Sequence, residues 1–216
     1  VFDESTNSQY RFGMPGTELH EKEWKQCLKA VEEIHGVEFI IASGSLPPGV
    51  PLDIYAQLAK IAKTRNAKFI VDTSGEPLKH AADEGVYLIK PNLGELSSLA
   101  GKNELQQEEI INIAREIIAK GKCEVMVVSM GAAGAMLVTD KLTEIVTAPP
   151  VLRKSTVGAG DSMVAGIVYF LTLGNSLPEA VQYGVACGTA ATMNAGTELC
   201  KKEDADRLYA LIQKQE

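Results

Sequence analysis

Apolar positions along this chain fall into two patterns that take turns. Trp24, Leu28, Val31 and Ile34 recur at helical spacing, so a helix is predicted over residues 17–34, opened by Thr17, Glu18 and Leu19, with Trp24 in the core. Residues 37–42 are a nearly unbroken apolar run, the pattern of a parallel strand covered on both faces. A helix over 52–64 leads to a strand over 68–72, and a helix over 78–84 to a strand over 86–89. A helix over 105–120, with Ile110, Ile113, Ile117 and Ile118 inward, leads to a strand over 125–129. Further strands are read at 135–139 and 144–148, and helices at 163–173, 177–193 and 203–213. The Ala and Gly content of 177–193 implies a closely packed neighbour. Such alternation predicts an α/β fold, a twisted and mainly parallel sheet with helices on both faces. Residues 1–12 fit it poorly. Two short extended segments around Asn7-Ser8-Gln9, the second being Tyr10-Arg11-Phe12, predict a hairpin projecting as a flap or lid.

Composition narrows the possibilities without adding a function. The 216 residues, 45% hydrophobic and 23% charged, suffice for one sizeable core and exclude a disordered chain. A net charge of −7 offers no general attraction to nucleic acid, so any bound anion must be held locally. Cys27, Cys123, Cys187 and Cys200 form no C-x-x-C pair and are read as buried free thiols. His20, His35 and His80 are scattered and are read as surface or helix-end residues, which leaves a transition-metal site or a histidine triad without support. No apolar run approaches a membrane span and the first residues do not resemble a signal peptide, so the cytoplasm is expected.

Four loops carry the candidate chemistry. In Ser155-Thr156-Val157-Gly158-Ala159-Gly160-Asp161-Ser162 a glycine turn feeds a helix start, whose unpaired amides and positive dipole end suit a phosphate. Asp161 beside them is either a general base acting on a hydroxyl that attacks phosphorus, or a capping carboxylate. Asn92 and Glu95, after Lys90-Pro91, sit three apart at a helix start and either hold a hydrated cation or form a capping pair. Ser43 and Ser45, in the 43–49 loop, are placed to hydrogen-bond a ligand at a strand end or simply to cap a Pro/Gly turn. Gly131 and Gly134, after Ser129, let the backbone approach a ligand or make a tight hairpin.

Taken in order, these loops resemble the PfkB, or ribokinase-like, carbohydrate kinase family. T-V-G-A-G-D-S at 156–162 is similar to its second signature, Asn92 and Glu95 to its N-x-x-E motif. The stretches S-G-S-L-P-P-G and Y-R-F-x-M-P-G most resemble the minor 6-phosphofructokinase branch and its tagatose-6-phosphate and 1-phosphofructokinase relatives. The resemblance covers essentially the whole chain. It implies a three-layer α/β/α sandwich and ATP-dependent phosphoryl transfer to a sugar phosphate, with fructose 6-phosphate expected first. It makes Asp161 the base and the amides of Gly158, Ala159 and Gly160 the anion hole. Lys90, Asn92, Ser129, Gly131 and Gly134 would bind ATP, with magnesium held through water by Asn92 and Glu95. Ser45, with Asp161, would contact the sugar. Ser155, Val157, Ala191, Asn194 and Gly196 match the potassium positions of members that use that ion.

The family's glycine-rich substrate signature is not found here, so the chain is expected to be the C-terminal part of a longer kinase. Residues 1–16 would be the remnant of its β-lid, through which relatives pair as homodimers, and 17–216 the ribokinase-like domain. Two rival readings compete with it: a nicotinamide oxidoreductase, disfavoured because Asp161 would face the pyrophosphate, and a non-catalytic module that keeps the fold.

Overall fold

The computed structural model describes all residues except 1, 4, 7, 11, 103, 104, 106, 215 and 216. In chain order the elements are β1 (Phe2–Asp3), β2 (Ser8–Gln9), α1 (Glu21–Glu33), β3 (Phe39–Ser43), α2 (Ile54–Thr64), β4 (Lys68–Asp72), α3 (Gly75–Glu84) and β5 (Val86–Ile89). They continue with α4 (Leu93–Leu99), α5 (Ile110–Ala119), β6 (Cys123–Ser129), β7 (Ala135–Val138), β8 (Thr143–Val146), α6 (Ala159–Thr172), α7 (Leu177–Thr192) and α8 (Lys202–Ile212). Two compact units result: a sheet unit of Pro15–Met130 with Met136–Glu144, and a helical unit of Val1–Met14, Gly131–Ala135 and Ile145–Glu216.

The sheet unit is built on a six-stranded sheet in the order β3-β4-β5-β6-β7-β8, and β3 through β6 run parallel. Parallel strands need crossovers, and the apolar faces of the connecting helices close over the sheet. Ile70, Val71, Leu88, Ile89, Met126, Val127 and Val128 are accordingly buried whichever way their side chains point. The expectation of two covered faces fails at β3. Ile41 is 44% exposed there and Phe39 and Ile40 are only half-buried, because β3 stands at the end of the described sheet with one neighbouring strand.

Several helix starts depart from their predicted positions. Helix α1 begins at Glu21 rather than Thr17: the Leu19 amide donates to the Pro48 carbonyl at 2.9 Å, and Glu23 reaches back to accept from the His20 amide at 2.8 Å. Its Trp24 and Leu28 pack against the core only partly buried. Helix α5 begins at Ile110, after a 3₁₀ turn at Gln107–Glu109. Helix α3 starts at Gly75 and β6 at Cys123, both earlier than the apolar periodicity indicated. The N-terminal hairpin is present, but its second strand is Ser8–Gln9, paired to Asp3 and Phe2, rather than Tyr10–Phe12; Asn7 and Arg11 lie outside the described residues. Asp3 holds its turn by accepting from the Ser5 amide and hydroxyl and from the Thr6 hydroxyl, led by Ser5, and these donors keep its carboxyl below the usual range.

The helical unit rests on α6 and α7, and α7 is closely packed as its small residues implied. At Gly166 an added Cβ would meet Cys187 Sγ at 2.7 Å and Gly184 Cα at 3.1 Å, so the two backbones nearly touch. Phe170 stacks on Tyr183 with ring centroids 3.8 Å apart, and Tyr209 of α8 meets both edge-on. All three histidines are exposed. Only Cys123 and Cys187 of the four free thiols are buried, so the reading of four buried cysteines is corrected: Cys27 is exposed on α1 and Cys200 half-buried. No helix among the described residues is long and apolar enough to cross a membrane.

The Gly184→Ala substitution separates propensity from packing. In an exposed helix it would add about 1 kcal/mol of stability. Here the new Cβ would sit 2.5 Å from Ile167 Cγ1 and 2.9 Å from the Met163 carbonyl oxygen. The expected outcome is a loss of about 1–3 kcal/mol, read as a lowered urea midpoint.

Candidate active site

Within the sheet unit, the predicted residues collect beyond the carboxyl ends of the parallel strands. Strand β5 is followed by Lys90 and Pro91, and the Pro91 carbonyl accepts from the Ser129 amide at 2.9 Å, so Asn92 and Ser129 form a single parallel bridge past the strand ends. Asn92 then caps α4. Its side chain accepts from the Glu95 amide at 2.9 Å while Glu95 Oε2 accepts from the Asn92 amide at 2.9 Å. The capping reading is thus realised in full. It does not exhaust the pair, because Asn92 is exposed and the cap uses one of Glu95's two carboxylate oxygens.

Lys90 is the residue that the sequence placed least well. It is 7% exposed, and its Nζ lies 3.2 Å from Asp72 Oδ1, itself in a side chain 15% exposed. The resemblance turned Lys90 toward phosphates; the structure gives its ammonium a carboxylate partner at the end of β4. Sequence reasoning assigned Asp72 nothing, although a carboxylate closing the apolar run Phe69-Ile70-Val71 at a strand end was a usable signal.

The 43–49 loop is fastened from several sides. The Gly44 amide donates to the Asp72 carbonyl at 2.9 Å, while the Gly44 carbonyl accepts from Tyr55 Oη at 3.0 Å and Thr73 Oγ1 at 2.8 Å. Gly49, at φ +83°, packs where any Cβ would run into the Leu19 carbonyl. Ser45 stands exposed on this fixed loop.

In the helical unit, Gly158 is the N-cap of α6 in the left-handed region, φ 78°, so the Gly-rich stretch does not merely precede the helix: Ala159, Gly160 and Asp161 are its first turn. Amides of a first turn have no intrahelical acceptor, and an aspartate there is favoured by the dipole. The Ala159 amide makes a long 3.4 Å bond to the Thr156 carbonyl, and the Ser162 amide a normal one of 2.9 Å to the Gly158 carbonyl. Asp161 is exposed. Leu199 covers the turn, its Cδ2 lying 2.6 Å from where a Gly158 Cβ would be.

Residues matched to a potassium site meet around one buried serine. Ser155, 2% exposed, donates to the Gly196 carbonyl at 2.6 Å, accepts from the Val157 amide at 3.1 Å, and its own amide donates to the Thr192 carbonyl at 3.2 Å. Asn194, 8% exposed, donates to the Leu199 carbonyl at 2.8 Å, and its amide donates to the Ala191 carbonyl at 3.2 Å. The donor set is oxygen only, which suits a hard cation. Gly131, at φ 60°, begins a 3₁₀ turn that Gly134 closes by donating to the Gly131 carbonyl at 3.1 Å. Gly134 is required by the chain itself, since a Cβ there would run into the Val146 carbonyl; a Cβ added at Gly131 would meet nothing within 4 Å among the described residues.

The chain matches the family model described as pfkB family carbohydrate kinase over residues 3–204. It is 43% identical over 213 residues to the ATP-dependent 6-phosphofructokinase isozyme 2 of Escherichia coli K12, covering 98% of this chain and 69% of that protein. The crystal structure of phosphofructokinase-2 from Escherichia coli in complex with potassium superposes with a TM-score of 0.93 at 43% identity, covering 99% of this chain and 69% of that one. The tetrameric inhibited form of the same enzyme gives a TM-score of 0.91 at 42% identity over the same shares. The fold class is therefore the expected ribokinase-like three-layer α/β sandwich with a mainly parallel sheet.

Removing either member of the Lys90–Asp72 pair leaves a charge stranded out of water. Lys90→Met is expected to cost about 3–5 kcal/mol in urea unfolding, and the double change Lys90→Met with Asp72→Leu to recover most of it. A loss below ~1 kcal/mol for the single change would mean that the pair is solvated like an ordinary surface bridge.

Proposed function

Because this chain belongs to the pfkB family of carbohydrate kinases, we propose that it carries the phosphoryl-transfer machinery of an ATP-dependent sugar-phosphate kinase, with fructose 6-phosphate as acceptor and fructose 1,6-bisphosphate as product. The observation that carries this reading is an exposed carboxylate, Asp161, inside the first turn of α6, directly after a left-handed glycine cap. A carboxylate among amides suited to a phosphate earns its position by removing a proton from the attacking hydroxyl.

Asp161 takes the proton of the sugar hydroxyl as oxygen approaches phosphorus. The amides of Gly158, Ala159 and Gly160 face the charge that gathers on the transferring group, and the long Ala159 bond to Thr156 yields readily to a better acceptor. A positioned base supplies about 10²–10⁴ in rate, so oriented amides and bound cations must supply much of the remainder. Lys90, Asn92, Ser129, Gly131 and Gly134 bind the nucleotide, and Ser45 contacts the sugar. Lys90, held by Asp72, acts there as a neutralised and immobile donor rather than a free cation. Asn92 and Glu95 would hold magnesium through water, and Ser155, Val157, Ala191, Asn194 and Gly196 would hold potassium; both ions would supply positive charge that offsets the charge of the phosphates. Residues 1–16 serve as a lid and self-association element, and 17–216 as the kinase domain, of a cytoplasmic enzyme.

The test is magnesium-dependent ADP release with fructose 6-phosphate, tagatose 6-phosphate and fructose 1-phosphate, measured on the longest protein that carries these residues. Asp161→Asn is expected to lower kcat with fructose 6-phosphate by about 10³-fold with KM little changed. An unchanged kcat would remove the base assignment, and a preference for another sugar phosphate would redirect the substrate. For the 216-residue chain, calorimetric heat of Mg-ATP equal to dilution would remove the nucleotide-site assignment.

A further inference from the structure

The helical unit contains a second chemically equipped place. A cavity of about 310 Å³ is walled by α6, α7 and the start of α8, and both Cys187 and Cys200 line it. The two thiols face the same small space, and Cys200 is near enough to help raise the Cys187 thiol. Cys187, 4% exposed on α7, is pressed against Gly166; Cys200, just before α8, is half-buried. Ser162 also lines the cavity, and its hydroxyl, in a residue 3% exposed, has no hydrogen-bond partner among the described residues. A paired dithiol and an unsatisfied hydroxyl in one small cavity are more than packing requires, since buried hydroxyls normally find partners.

We propose that Cys187 and Cys200 are a modification site, converted to a reversible intrachain disulfide by a small hydroperoxide that enters this cavity. The Cys200 sulfur attacks the terminal peroxide oxygen, the O–O bond breaks, and water or the alcohol leaves, so that Cys200 becomes a sulfenic acid. The Cys187 sulfur then displaces the hydroxyl from Cys200, and the Cys187 proton departs with it as water. The two thiols lose the two electrons that the peroxide gains, and an external thiol reverses the sequence. Cys200 reacts first because it is the accessible member, whereas burial, with Cys200 beside it, pushes the Cys187 thiol up to about 12. The Ser162 hydroxyl is available to the oxygen that leaves.

The cross-link would tie α7 to the segment before α8. Leu199 of that segment covers Gly158, and its carbonyl accepts from Asn194. Oxidation therefore stiffens the cover over the opening turn of α6. The proposal does not depend on the kinase reading, because the chemistry is read directly on sulfur.

The folded chain is treated with hydrogen peroxide, then denatured, alkylated and mapped by mass spectrometry. Free thiols are expected to fall from four to two, with one peptide pair joined through Cys187 and Cys200 and amide exchange over 194–200 slowed. Cys187→Ser should stop at a dimedone-trapped sulfenic acid on Cys200, and Cys200→Ala should give no cross-link. Four surviving thiols, or a disulfide that joins two chains through Cys27, would overturn the proposal. Should one variant fail to fold, mapping of the wild-type chain alone still decides it.

Discussion

The approach of α6 to α7 is the constraint on which the helical unit depends. Gly166, Gly184 and Gly188 strip away the side chains that would otherwise hold the two helices apart, and at Gly188 an added Cβ would meet the Ala159 carbonyl oxygen at 3.0 Å. That last contact sets the first residue of α6 against α7. The glycine cap, the first-turn amides and Asp161 are thus fixed by a helix–helix contact, not by a loop free to choose its conformation. Close packing there is a condition of chemistry, because a displaced turn would aim its amides elsewhere.

A second theme is that nearly every polar group proposed for ligand binding already has a protein partner. Asn92 and Glu95 cap each other, Lys90 pairs with Asp72, and Ser155 is shared between Gly196 and Val157. These bonds fix rotamers before a ligand arrives, which lowers the ordering cost of binding. They also explain why a capping and a ligand reading both fit Asn92 and Glu95 in the sequence. One geometry does both.

Local periodicity made most of the architecture legible. β4 and β5 occur where the apolar runs put them, and α7 within a residue of its expected end. Two of the failures share a cause, namely partners distant in the chain. Thr17 could have opened α1 but for the Pro48 carbonyl, which lies in another loop and takes the Leu19 amide. Ile41 reads as a two-sided core residue until the strand order puts β3 at the end of the described sheet. In the site, the motif residues were legible because they cluster within short stretches. Asp72 and the Cys187–Cys200 contact were not, since neither lies next to its partner in sequence and neither belongs to a motif.

The Lys90–Asp72 pair has a consequence for heat. Much of what opposes a buried ion pair is the hydration that its two charges give up, and that hydration becomes less favourable as temperature rises. Apolar burial does not keep strengthening in the same way. The sheet edge that holds Lys90, Asp72 and the Gly44 loop should therefore loosen later on warming than a purely apolar edge of equal stability at 25 °C, and thermal unfolding should begin elsewhere in the chain.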